Sequence, residues 1–175
     1  MKNKPGRIVG GMFLVFCIGF VIGLFLQVVY EANVLKAYDW PDNYPPIILN
    51  CYGEDFSELQ MTRAISYWTL RGHNIGFYEH SPPEKVCKEK HLHGFIILRK
   101  AKFFELSGNT LAATKKGTAG LEIKWAEIIY QPGSQNLDLI NEHELGHALG
   151  YGHVEKLGHI MHPKYNKMGP KFWLP

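Results

Sequence analysis

Charge is missing from the first part of this chain where most proteins carry it. From Ile8 to Val29 there is no Asp, Glu, Lys or Arg, and Gln27 is the only strongly polar residue. At 1.5 Å of rise per helical residue, such a run reaches roughly 33 Å, enough for the hydrocarbon core of a bilayer. Acid is also absent from residues 1–7, which hold Lys2, Lys4 and Arg7, while Glu31 follows the run. That asymmetry predicts a cytoplasmic tail at 1–7, a transmembrane signal anchor at 8–30, and everything later outside the cytoplasm. A cleaved signal peptide, and hence a secreted protein, is the alternative. The exit QVVYEAN lacks the small-x-small pattern that cleavage prefers. Gly19 and Gly23 have the spacing of a helix-packing motif, although glycines simply tolerated in a membrane helix explain them as well.

Cysteine is scarce, and the three that occur differ in setting. Cys17 lies in the apolar run, facing lipid or a neighbouring helix, and Phe16 before it argues against a lipoprotein cleavage site. Cys51 and Cys87 fall in the following domain and can pair if that domain sits in an oxidising compartment. Two free thiols are the equal alternative, because sequence does not show whether their Cα atoms approach. No basic stripe interleaved with aromatics occurs. The cationic run from Lys85 to Lys90 contains Glu89 and reads as a solvated loop, so nucleic-acid binding is not expected. Internal repeats and low-complexity tracts are absent too. The net charge of +3 and ordinary apolar content suit one modest domain with a single core.

What is present is concentrated between Glu142 and His162, EHELGHALGYGHVEKLGHIMH. On a helix, residues four apart share a face, so His143 and His147 can offer two imidazole nitrogens to one metal ion. Glu144 stays close enough to reach a water there. Gly150 can end the helix in a left-handed conformation, and His153 can then return a third nitrogen. Three neutral nitrogens with one open position form the ligand set of a catalytic rather than a structural zinc site. Chance agreement with three His, one Glu and one Gly at one position is on the order of one in ten million.

With Met161 following in GHIMHP, the stretch resembles the metzincin clan of zinc peptidases. The resemblance implies Zn²⁺ on His143, His147 and His153, and Glu144 as general base. It also implies Met161 as an apolar floor below the histidines, and a peptide or protein substrate. His159 and His162 are expected outside the ligand set. Tyr165 is expected to line the specificity pocket, with residues 162–165 as its wall, and residues 108–114 to pair with extended substrate. Val154 matches no familiar subfamily, while Pro163 leans toward the matrixin side. No cysteine in 31–46 supports a cysteine-based latency, and the short stretch after Met161 points to a minimal member. A zinc protein that keeps the fold for binding or structure without turnover is the alternative. Oligomeric state is left open.

Residues 31–45, with Pro41 and Pro45, read as a stalk before a domain at 46–175. Strands are expected at 47–52, 75–80, 94–99, 109–115 (weakly, ending at Gly117) and 121–130. An amphipathic helix is expected over 56–71, and a Pro/Lys-rich loop at 81–93. A long motif helix capped by Ser134 or Asn136 should follow Pro132-Gly133. The expected class is α+β: by resemblance, a metzincin-like catalytic domain with a twisted mixed sheet on two long helices, preceded by one N-terminal transmembrane helix.

Overall fold

The structure is a computed structural model that describes residues 36–172. The cytoplasmic tail, the apolar run with Cys17, Gly19 and Gly23, and the first part of the stalk lie outside the described residues. Among the described residues no helix is long and apolar enough to cross a membrane.

Five strands form one mixed sheet: β1 (Ile47–Asn50), β2 (Tyr78–Glu79), β3 (Phe95–Lys100), β4 (Ala112–Ala119) and β5 (Glu122–Tyr130), in the order β2-β1-β3-β5-β4. The pairs β1–β2, β1–β3 and β3–β5 are parallel, and β4 runs antiparallel to β5. Central β3 buries Ile96, Ile97 and Leu98 in succession, the run expected of a parallel strand covered on both faces. Edge strand β4 instead carries Lys115 and Lys116 and buries none of its residues fully, a composition that discourages edge-to-edge pairing.

Helix α1 (Glu58–Thr69) starts at Ser57, whose hydroxyl accepts the Gln60 amide hydrogen, and buries Met61, Ala64 and Trp68 at helical spacing. A four-residue helix α2 (Glu84–Cys87) occupies the middle of the loop expected at 81–93. It presents Cys87 to Cys51 with their Cα atoms 5.4 Å apart, and the two are joined by a disulfide. The expected strand at 75–80 shrinks to two residues, because only Tyr78 and Glu79 find register partners on β1. The weak strand at 109–115 starts later and runs on through Gly117 to Ala119, with a bulge between Gly117 and Thr118.

The motif helix α3 (Ile140–Ala148) has nine residues and is not the long helix expected. It starts from Leu139 in a left-handed conformation with no side-chain cap. Ser134 and Asn136 do not cap it because tertiary partners have already taken them. Ser134 donates to the carbonyls of Leu111 and Gln131, and Asn136 accepts from Ser57 N and donates to Asp55 O. These bonds hold residues 131–138 as a turn-rich approach and delay the helix by several residues.

The stalk reading is also corrected for residues 36–45. Trp40 is buried and donates from Nε1 to the Ala148 carbonyl at 2.9 Å, while Lys36 and Asp39 bridge to Tyr151 and Glu122. An apolar aromatic in a proline-flanked segment packed rather than spaced.

Behind α3 lies an aromatic cluster. Trp68 stacks on Tyr151 with ring centroids 5.0 Å apart and meets Phe172 edge-on. His73 joins it edge-on, its Nε2 2.8 Å from the Tyr151 hydroxyl. Burial first, and Lys36 second, lower the His73 pKa to about 4, with Asp39 acting in the opposite sense. The unfolded chain therefore binds this proton more readily between pH 6.5 and 4. His73 should contribute full stability above pH 6.5, losing it as pH falls toward 4 and levelling off below. A His73→Phe variant, compared at equal metal content, is expected to show a smaller fall in Tm from pH 7 to 4. An unchanged pH profile would count against this.

Candidate metal centre

Each ligand candidate is set by local structure. His143 and His147 stand one turn apart on α3. After Ala148 the chain leaves the helix through Gly150 at φ +105°, where any Cβ would also collide with the Tyr38 carbonyl oxygen. The return segment is pinned by the Val154 amide donating to the Met161 carbonyl at 2.9 Å, which carries His153 back over the helix face. The Nε2 atom of His147 lies 3.1 Å from that of His143 and 3.1 Å from that of His153. The three ligand atoms all fall within 4.8 Å of one another.

The tautomers follow from the partners. His143 Nδ1 is 2.7 Å from the Ile160 carbonyl and His147 Nδ1 is 2.9 Å from the Tyr151 carbonyl. A carbonyl only accepts, so each Nδ1 carries the proton and each Nε2 turns a lone pair inward. Burial lowers the His143 pKa to about 4 and the His147 pKa to about 3, and lowers that of His153 as well. All three are neutral at pH 7, the form that binds metal. The Nε2 lone pairs of His143 and His147 converge at 3.1 Å with no proton fixed between them, which is unfavourable unless a cation separates them. Tetrahedral Zn–N bonds of about 2.05 Å would set the nitrogens about 3.3 Å apart, close to the observed spacing. The residues present therefore fit a zinc ion.

Glu144 is buried beside the triad. Burial raises its carboxyl pKa to about 7, against the opposing effect of a hydrogen bond from Thr114. The Thr114 hydroxyl lies 2.7 Å from Glu144 Oε2 and 3.1 Å from the Glu144 main-chain carbonyl. Lys116, two residues along β4, donates from Nζ to the His147 carbonyl at 3.2 Å. With Trp40 on Ala148, two of the last carbonyls of α3 are thus satisfied by side chains from elsewhere.

Met161 is fully buried, with its sulfur against Gly146, the residue before His147 on α3. A Cβ at Gly146 would run into Met161 Sδ and Trp68 Cζ2, so only glycine lets α3 settle onto this floor. His159 and His162 are buried beside the turn and stay outside the triad. Each accepts a main-chain N–H two residues on, from Met161 and Lys164, through Nδ1 at 3.0 Å. They shape the turn that carries Met161, and neither joins the triad.

A cleft of about 670 Å³ opens over these groups. It is lined by the triad and Glu144, by Asn109–Thr114 leading into and along β4, and by Pro163, Tyr165 and Met168. Among the described residues β4 pairs only with β5, which leaves its second edge unpaired along this cleft.

Sequence reasoning missed the parts played here by Thr114, Lys116 and Gly146; Trp68 is legible from its helical spacing as core, though not its reach to Gly146. Gly146 carried a signal, because glycine inside a helix costs about 1 kcal/mol relative to alanine and calls for a packing reason. Nothing local marks Thr114 or Lys116.

A mixed sheet over a short helix that gathers three inward-facing imidazoles defines a metal centre of the metzincin type. The family model for matrixin, a peptidase family, matches residues 68–175, which include α3, the whole triad and Met161. The chain belongs to the matrixin family. The lean given by Pro163 pointed the same way. No curated protein matches the chain.

Proposed function

We propose that this protein is a zinc-dependent endopeptidase in which Glu144 acts as general base and then general acid. The observation that carries this reading is the placement of a buried carboxylate beside three imidazoles whose Nε2 atoms converge at one open cleft. A zinc ion held by His143, His147 and His153 would supply Lewis acidity, polarising a substrate carbonyl and acidifying an attacking water. Glu144 takes a proton from that water as its oxygen bonds to the carbonyl carbon, then returns the proton to the amine as the C–N bond breaks. No covalent bond to the protein is needed. The free edge of β4 offers main-chain groups to an extended peptide, added as a further strand. Tyr165 and Met168 line the cleft where a substrate side chain would enter.

Metal analysis with peptide-library hydrolysis tests this. The native chain is expected to carry about one zinc per triad and to cleave peptides. A chelator should abolish cleavage, and added zinc should restore it. A zinc-loaded protein that cleaves no peptide would favour the binding or structural alternative.

We further propose that residues 8–30 anchor the chain, with the domain outside the cytoplasm. The charge-free run with its basic flank and the Cys51–Cys87 disulfide support this placement. The mass of the mature N-terminus decides it, since loss of residues 1–30 would mean a secreted protein.

A further inference from the structure

Among the described residues, Thr114 supplies the side-chain hydrogen bond to the Glu144 carboxylate, and no hydrogen bond engages Oε1. Thr114 is held unusually well for this purpose. It sits within β4 opposite Ile128 of β5, inside a ladder that continues in register from Ala112 to Gly117. A β-branched side chain in a strand has few rotamers open to it. Glu144, by contrast, has a long side chain whose carboxyl rotates freely unless a partner stops it.

We propose that Thr114 is a positioning residue for the reaction. It pins Oε2 of Glu144 and thereby leaves Oε1 directed to the water and the leaving amine in the cleft. This rests on the reading of Glu144 as general base. The proton that Glu144 takes from the water is held on Oε1, so Oε2 keeps accepting from the Thr114 hydroxyl before and after the transfer, and the carboxyl need not swing between steps. Positioning of this kind acts on turnover rather than on substrate binding.

The experiment compares Thr114→Val and Thr114→Ser with the native full chain for kcat, KM, zinc content and Tm. Valine keeps the shape and removes the oxygen, while serine keeps the oxygen. Thr114→Val is expected to lower kcat by roughly tenfold to a hundredfold, with KM, zinc content and Tm close to native. Thr114→Ser should recover most of the loss. Thr114→Ala serves as a second oxygen-free variant if valine disturbs folding. In a Glu144→Ala background, adding Thr114→Val should cost nothing more. Native turnover that Glu144→Ala lowers by about 10²- to 10⁴-fold establishes the underlying reading separately. Against that background, a native kcat in Thr114→Val, a serine variant as slow as valine, or loss of zinc in step with activity would each overturn the assignment.

Discussion

Replacement of Glu144 by alanine is expected to lower kcat by about 10²- to 10⁴-fold, the range over which a positioned general base contributes. Zinc should remain bound. His143 and His147 are oriented through Nδ1 by the carbonyls of Ile160 and Tyr151, not by Glu144. His153 is placed by the return segment that Val154 and Met161 hold together. Removing the carboxylate therefore takes away the proton acceptor and spares the metal site. Side-by-side metal content and kcat for native protein and Glu144→Ala check this. Hydrolysis at the native rate by the variant would sink the role assigned to Glu144. Loss of zinc along with activity would mean that Glu144 holds the site together instead.

Breaking the Cys51–Cys87 bridge by a Cys51→Ser/Cys87→Ser double replacement is expected to cost a large share of the domain's stability. The bridge spans 36 residues. Releasing a loop of that size restores unfolded-chain entropy worth about 4 kcal/mol in the chain-entropy account. Against a total of about 5–15 kcal/mol for a domain, this is a large share. The loop contains all of α1, and α1 reaches the metal centre through Trp68. That side chain touches Gly146 and donates from Nε1 to the Glu142 carbonyl at 2.7 Å. Loss of the bridge is thus expected to weaken zinc retention as well as to lower the denaturant midpoint. Equilibrium denaturation of both proteins, with and without reductant, measures it. A native midpoint indifferent to reductant would show that the bridge contributes little.

The two predictions draw on different kinds of information. Glu144 and its three histidines are consecutive enough to be read by helical spacing. Imidazole and carboxylate chemistry restricts what such a set can do. The strongly apolar β3 and the alternating β5 were legible for a similar reason, since burial on one face or two leaves its period in the sequence. The same logic set Gly150 at the end of the helix, where φ +105° now stands beside the Tyr38 carbonyl. The short β2 and the late start of α3 were not legible, because each depends on how many partners a neighbouring segment provides. Ser134 and Asn136 have the right chemistry for a cap, yet their hydrogen bonds go to Leu111, Gln131, Ser57 and Asp55.

Sequence by itself picked out the three histidines that the structure gathers, His143, His147 and His153, with Glu144 beside them and Met161 beyond. Within that stretch all the spacing information is local, and no distant partner is needed to read it. Tertiary structure alone decided that Cys51 reaches Cys87, that Trp40 packs rather than spans a stalk, and that Thr114 bonds a carboxylate 30 residues away. A threonine in an edge strand looks the same in sequence whether it faces solvent or a glutamate. Only the register of β4 on β5 and the packing of α3 against β4 choose between them.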